Sequence, residues 1–333
     1  MRRLDLLNRW SSYRKAGAVR REKEAALVEA LEHMVKEGAP AVRAVAGYRK
    51  QLLPPMESAL SYMEGLIRTI PGPFTLSTMG WDKDPFTHSL FFSPDEIRSL
   101  FDNSPELKSF FLESGKPSAT ILLTATKKER TIFGTKTEGE ITRRDVPQLS
   151  VEFYDHRIMA PTETIQKIHR ELVRRGLVLL AAHALEKVME VDSNREELLS
   201  QRRILEIKLK ILATREKGRE CLLAGRREKA VNGEAERLLS EIDRQIMELG
   251  PDSGTPRAIL GELKAALGSA GEVLAGKSLR MRIDRMGVRL NDGSAEKGAE
   301  IELAELEMPG TLKRVAVLAI VHAAECPDSW QRV

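Results

Sequence analysis

Near the C-terminus, Val315-Ala316-Val317-Leu318-Ala319-Ile320-Val321 is apolar at every position, so a strand made from it must bury both faces. Such a strand belongs inside a sheet and needs a partner along each edge. The preceding segment supplies one. Residues 279 to 308 begin as apolar residues alternating with arginine (Leu279, Met281 and Ile283 against Arg280 and Arg282). They end as apolar residues alternating with glutamate (Ile301 and Leu303 against Glu300 and Glu302). Folded about the Gly, Asp and Ser rich stretch from Asn291 to Gly298, the halves make an antiparallel hairpin with Arg opposite Glu on its solvent face. Each such pair contributes on the order of 0.2–1 kcal/mol. Arg285 and Met286 break the register before Val288 and Leu290 resume it, as a one-residue bulge does.

The other edge must be filled from far upstream. Thr120, Leu122, Thr124 and Thr126 alternate with Ile121, Leu123 and Ala125. A charged tip from Lys127 to Glu129 leads into Thr131 to Thr135, and Leu149 to Tyr154 gives a third strand, so the spacing predicts a meander of about three strands. One sheet is then assembled from two segments remote in the chain.

Between them the period is helical. Ile165, Ile168, Leu172, Val173, Leu179 and Leu180 mark a buried helix from Thr162. Ala235, Leu239, Ile242, Ile246 and Leu249 are spaced 4, 3, 4, 3, and Leu260, Leu263, Leu267, Ala270 and Leu274 are spaced 3, 4, 3, 4, with Leu205, Leu209 and Leu212 as a shorter match. Breakers at Gly218, Gly225, Asn232-Gly233 and Gly250-Pro251 divide the region into antiparallel helices, the first running from about 193 to 217. Seams this short suit packing within one chain.

Upstream, Leu4 to Ile70 reads as about three helices punctuated at Gly38 to Pro40 and at Pro54-Pro55, with Leu27, Leu31, Met34 and Val35 on one face. PGPFTLSTMGWDKDP, residues 71 to 85, reads as a loop. Ser93-Pro94-Asp95-Glu96 and Ser104-Pro105-Glu106 each place a capping serine before a proline at the first helical position, and Ser93 with Glu96 fits a capping box. Phe91, Phe92, Phe101, Phe110 and Phe111 predict a packed aromatic cluster.

The fold class is therefore α+β and predominantly helical. A mixed or antiparallel sheet is formed by two distant segments, with an inserted antiparallel, coiled-coil-like helical hairpin. Four segments follow: 1–70 helical, 71–161 short helices and meander, 162–275 the helical insertion, and 276–333 the hairpin and central strand completing the sheet.

Chemistry is sparse. Six histidines include no H-E-x-x-H; His169 and His183 share a helix face but stand about 21 Å apart along its axis, so they cannot share a metal. His322 sits in the apolar strand as a core histidine. Ser114-Gly115-Lys116-Pro117-Ser118 lacks the first glycine of a phosphate loop, with Phe110 in its place. The one local concentration of chemistry is Trp81-Asp82-Lys83-Asp84-Pro85-Phe86-Thr87-His88. There Asp82, Asp84 and His88 could do acid-base work if they converge. Alternatively, Asp84-Pro85 starts a helix while Trp81 and Phe86 anchor the loop.

The 53 basic and 49 acidic residues leave a net charge of +4, and the first fifty residues alone carry +6. Arg9, Arg14, Arg20 and Arg21, with Trp10 and Tyr13 nearby, are candidate anion-binding residues for nucleic acid or an anionic surface. The two cysteines, Cys221 and Cys326, form no C-x-x-C, no apolar run reaches the roughly 18 residues of a membrane span, and the N-terminus lacks a secretory core. These features predict a cytoplasmic location, with neither cofactor nor metal. The expected function is that of a non-enzymatic interaction or scaffold protein, using helical-hairpin surfaces to self-associate or bind a protein partner. Nucleic-acid or anionic-surface binding through the N-terminal helices is the alternative; an enzyme with its site near Asp82, Asp84 and His88 is the third reading.

Overall fold

A computed structural model describes residues 24–138, 141–223, 229–250, 254–291, 298–310, 313–327 and 330, and the side chains among them except at 136–143, 212–213 and 215–234. The chain forms two compact units. Glu57–Leu177 with Ser269–Val333 make a sheet unit, and Met1–Met56 with Val178–Gly268 make a helical unit.

The sheet unit is built around the strand that the sequence places at its centre. Strands β1 (Phe74–Thr75), β2 (Ser118–Glu138), β3 (Ile141–Thr162), β4 (Ala275–Ile283), β5 (Arg289–Leu290), β6 (Ala299–Glu307) and β7 (Arg314–His322) form one sheet. Its order is β3-β2-β7-β6-β4-β5, with β1 also against β7. β7 pairs antiparallel with β2 from Ser118↔His322 to Ala125↔Val315, so the remote segments do share a sheet. The C-terminal hairpin covers only part of the other edge, from Ala304↔Ala316 to Leu306↔Arg314. The rest is taken by β1, parallel to β7 at Phe74↔Ala319 and Thr75↔Ile320, in a stretch expected to be loop. An isolated bridge, Ser150↔Val288, and a bond from Val151 N to Gly287 O at 2.8 Å bring the β5 end back to β3, so the sheet is a nearly closed barrel.

Both faces of β7 are buried. Val315, Val317, Ala319 and Val321 share a core with Ile121, Leu123, Phe153, Ile283, Ile301 and Leu303. The helices α3 (Pro85–Leu90), α4 (Pro94–Asp102) and α5 (Pro105–Ser114) add Leu90, Ile97, Phe101, Leu107 and Phe111 to that core. Ala316 and Leu318, on the opposite face, pack with Leu122, Ile67, Ile168 and Leu172. Ile67 lies in α2 (Tyr48–Arg68); Ile168 and Leu172 lie in α6 (Ile165–Leu223). Each fully buried Val, Leu or Ile here contributes about 1.5–3 kcal/mol.

The expected pairing of charges is present. Arg280 opposes Glu302 and Arg282 opposes Glu300, and Arg280 Nη2 lies 2.8 Å from Glu302 Oε1. The bulge expected near Met286 is instead a turn: Asp284 Oδ1 accepts from Met286 N and Val288 N, both at 2.8 Å, and Gly287 adopts φ 80°. β5 thereby folds back along β4 (Ile283↔Arg289) instead of continuing it. The side chain of an aspartate supplies the partners that the sequence pattern assigned to a bulge.

The three-stranded meander is two long strands. Lys127 to Glu129 is no tip, because each residue pairs with β3 (Lys127↔Phe153 to Glu129↔Val151) and Lys127 lies 3.0 Å from Glu129 and 3.6 Å from Glu305. β3 carries one extra residue at each of three places, and each bulge has one left-handed residue: Asp145 (φ 56°), Asp155 (φ 52°) and Ala160 (φ 53°). Bulges increase local twist and bend, as a 22-residue strand wrapping a barrel requires. At the Ala160 bulge the freed N-H donates to Glu106 Oε2 at 2.9 Å, and Glu106 is held by Arg175 of α6 at 2.9 and 3.1 Å. Burial raises the Glu106 pKa, but Arg175 and the Ala160 N-H outweigh it and hold the carboxyl below its ordinary value.

Other expectations are corrected locally. Pro54 and Pro55 do not end a helix; they lie inside α2. The carbonyls they leave without donors belong to Lys50 and Gln51, which are exposed and can bond water. Ser93 Oγ accepts from Glu96 N at 3.3 Å, but the Glu96 carboxylate reaches Phe92 N, one residue before the cap; Ser104 makes no side-chain cap. Phe91, Phe101 and Phe111 are buried, whereas Phe92 is 94% exposed. His322 is also exposed, at the end of β7.

In the helical unit, helix α1, residues 24–38, carries the buried Leu31, Met34 and Val35. A 3-10 turn, Pro40–Ala44, follows and packs near α8 (Pro256–Gly268), which buries Leu260, Leu263 and Leu267. The predicted seam ends there: Ala270 starts a separate short helix, α9 (Ala270–Val273), in the sheet unit. A methyl on Gly38 would sit 2.5 Å from Ala181 Cβ, so glycine permits close approach to α6. Gly218 interrupts nothing in α6, and Asn232-Gly233 lies within α7 (Lys229–Leu249); Gly250, at φ 77°, ends α7, and Gly225 falls outside the described residues. One helical glycine costs only about 1 kcal/mol, which 59 residues of helix can absorb. Among the described residues no helix is long and apolar enough to cross a membrane.

Docking of β1 generates a test. Gly72 has φ 111°, and a Cβ there would lie 2.4 Å from Leu318 O, beside the bond from Leu318 N to Pro71 O. Gly72→Ala is expected to destabilise the protein by about 2 kcal/mol or more in urea unfolding; unchanged stability would contradict the packing of β1 on β7.

Candidate functional site

The loop expected to hold chemistry is ordered by its own polar groups. Asp84 caps α3, its carboxylate accepting from Phe86 N at 3.2 Å, Thr87 N at 3.1 Å and Thr87 Oγ1 at 2.5 Å. Trp81 Nε1 donates to Phe91 O at 2.8 Å, and the Trp81 ring stacks on His88 at 4.6 Å. Phe86 meets Phe74 at 4.7 Å. Asp82 is exposed and faces Arg285 at 3.4 Å. Asp82, Asp84 and His88 therefore each engage a different partner: an arginine, a helix cap and an indole. This is the anchoring alternative drawn from Asp84-Pro85. Arg9, Arg14, Arg20 and Arg21 lie outside the described residues.

A more concentrated group lies one helix further on. α4, the corner between α4 and α5, and β3 line a groove of about 370 Å³ that includes Glu96, Ser99, Asn103, Ser104, His156 and Arg157. The Asp155 bulge places it. Without the extra residue, alternation from Val151 and Phe153 would aim position 155 inward; with it, Asp155 turns out and His156 turns in. Asp155 is held outside by Arg314 Nη1 at 2.6 Å and by Arg157 Nε and Nη2, both at 3.2 Å; these arginines keep its carboxyl below the ordinary aspartate value.

The His156 side chain is only 3% exposed. Its ring stacks on Phe91 at 4.3 Å, and Nδ1 lies 3.2 Å from Glu96 Oε1. Glu96 Oε2 accepts from Phe92 N at 2.9 Å. Burial pushes the Glu96 pKa up, but His156 and the Phe92 N-H outweigh it, so the carboxylate stays ionised below the usual glutamate range. His156 Nε2 is buried and has no hydrogen-bond partner among the described residues. The carboxylate thus fixes the ring and its tautomer, leaving Nε2 as the atom from which the ring can exchange a proton or pair with a ligand.

Sequence reasoning passed over this pair because Glu96 read as a capping residue and His156 fell beyond the strand expected to end at Tyr154. One signal was present. The core residues Phe153 and Ile158 are five apart, an odd spacing that regular alternation forbids and a bulge requires.

Other chemistry is limited. Among the described residues no group of three or more His, Cys, Asp or Glu is placed to hold a metal ion. Cys326 is buried, and its thiol is pushed up to about 12 by burial and by Glu325 and Asp102, so it is not a thiolate nucleophile at neutral pH. No family model, curated protein or solved structure matches the chain.

Glu96→Gln removes the charge facing His156 and is expected to cost about 1–2 kcal/mol at neutral pH. Because the folded Glu96 pKa is depressed, the wild-type advantage is present above the ordinary value of 4.5 and shrinks as pH falls through the lower folded value. Urea unfolding of both proteins across pH 3 to 7 measures this; a pH-independent difference would show that the carboxylate charge is not what stabilises the pair.

Proposed function

We propose that the chain is a non-enzymatic interaction protein in which α6 and α7 form an antiparallel, coiled-coil-like hairpin that associates with a second copy. The supporting observation is a row of half-exposed isoleucines on α6: Ile204 at 51%, Ile207 at 53% and Ile211 at 53%. At spacings of three and four they lie on one helix face, flanked by Arg203, Glu206, Lys208 and Lys210. With Lys210 and Thr214, Ile207 and Ile211 line a shallow hollow of about 380 Å³. A row of large apolar side chains within a charged helix is a marker of association.

The hairpin is supported by two approaches running in opposite chain directions. Arg202 Nε lies 2.8 Å from Asp243 Oδ1, and a Cβ on Gly254 would lie 2.1 Å from Asp192 Oδ2. Going back along α6 thus matches going forward past α7. On α7 the seam residues Ala235, Leu239, Ile242, Ile246 and Leu249 are all partly or fully buried, while Leu238 and Met247 beside them are exposed. That inner seam is distinct from the outer isoleucine row, which leaves the row for a partner. On this reading residues 162–275 are the interaction segment, and the protein works in the cytoplasm.

The test is mass in solution. Sedimentation equilibrium of the full chain at micromolar concentration is expected to give twice the 37.3 kDa chain mass. Ile207→Glu with Ile211→Glu is expected to return it to a single chain with unchanged helical circular dichroism. A wild-type chain that sediments at 37.3 kDa, or a variant that stays dimeric, would overturn the proposal.

A further inference from the structure

We infer that the groove between the α4–α5 corner and the Asp155 bulge is a binding site for a small organic phosphate monoester, a role separate from the proposed association through α6. Three independent features converge there. First, α5 is a ten-residue helix whose N-cap, Ser104, lines the groove but offers its first turn no side-chain cap. Its N-terminus therefore presents backbone donors and the positive end of the helix dipole.

Second, the groove lining includes an exposed cation. Asp155 is shared by Arg157 and Arg314, which leaves one positive charge over, and Arg157 itself lines the groove with its side chain 63% exposed. Glu96 keeps its negative charge and offsets that surplus overall, but both its oxygens are engaged, by His156 Nδ1 and Phe92 N, which leaves Arg157 as the exposed cation of the groove lining. Glu106, on the first turn of α5, is likewise turned to Arg175 and the Ala160 N-H.

Third, His156 lines the groove almost fully buried, with Nε2 unpartnered. A buried polar atom without a partner is destabilising, and a ligand hydroxyl would relieve it. With Nδ1-H turned to the Glu96 carboxylate, Nε2 is the acceptor of the ring, matched to the hydroxyl of a singly ionised phosphate monoester.

The dimensions distinguish an ester from the free ion. About 370 Å³ is far more than one phosphate needs, and Leu100, Pro105 and Ile158 supply apolar lining for an organic group. The phosphate would sit at the α5 N-terminus, within reach of Arg157, and the organic part against Leu100 and Ile158.

Titration of the full chain with phenyl phosphate, inorganic phosphate and phenol, followed by calorimetry and by the His156 imidazole nitrogen resonances, tests this. Phenyl phosphate is expected to bind one per chain, more tightly than inorganic phosphate, and to shift the His156 Nε2 signal, while phenol does not bind. Arg157→Gln, at an exposed position that leaves the core intact, is expected to weaken phenyl phosphate at least tenfold. Absence of saturable binding, equal affinity for inorganic phosphate, an unmoved His156 signal or an unaffected Arg157→Gln variant would each overturn the assignment.

Discussion

The sheet unit depends on the burial of both faces of β7. A strand with Val315, Val317, Ala319 and Val321 on one side and Ala316 and Leu318 on the other has no side to give to water. Its backbone must then be paired on both edges, since an unpaired N-H or C=O in such a place has no solvent to turn to. β2 meets that requirement along one whole edge, while β6 and β1 divide the other. Everything else in the unit follows that strand: α3–α5 cover one of its faces, and the ends of α2 and α6 cover the other.

The same barrel produces the candidate site as a by-product of its curvature. A 22-residue strand bends round by inserting single residues, and each insertion reverses which side chains face inward. At Ala160 the reversal frees an amide, which Glu106 and Arg175 capture. At Asp155 it turns a histidine into the interior, where Glu96 meets it. The first is a structural tie whose polar groups are all paired. The second leaves Nε2 open, and that difference separates a brace from a site.

Legibility in the sequence followed the range of the interactions. The pairing of β2 with β7 was readable, because a fully apolar strand announces its need for two neighbours. The Arg280–Glu302 register was readable because alternating charge records which face meets water. The helix caps at Asp84 and Ser93 were readable because capping is local. What escaped depends on contacts distant in the chain. β1 looked like a loop because two residues of strand carry no period. The charged triplet at Lys127 looked like a turn because its partner Glu305 lies far along the chain. Gly218 looked like a breaker because propensity counts one residue, whereas a long helix averages over many. The candidate site was the least visible part: Glu96 belonged only to a helix-cap motif and His156 to none, and only the odd spacing between Phe153 and Ile158 betrayed the bulge that joins them.

The most direct measurement of the shared sheet is a cross-link between its two remote contributors. Ser118 and His322 are register partners at the more exposed end of the β2–β7 pair. With Cys221→Ser and Cys326→Ala as background, Ser118→Cys combined with His322→Cys is predicted to oxidise to an intramolecular disulfide in high yield in the folded protein and in low yield in urea. Failure to form that bond while the protein remains folded, or equal yield in both conditions, would contradict a sheet built from the two ends of this chain.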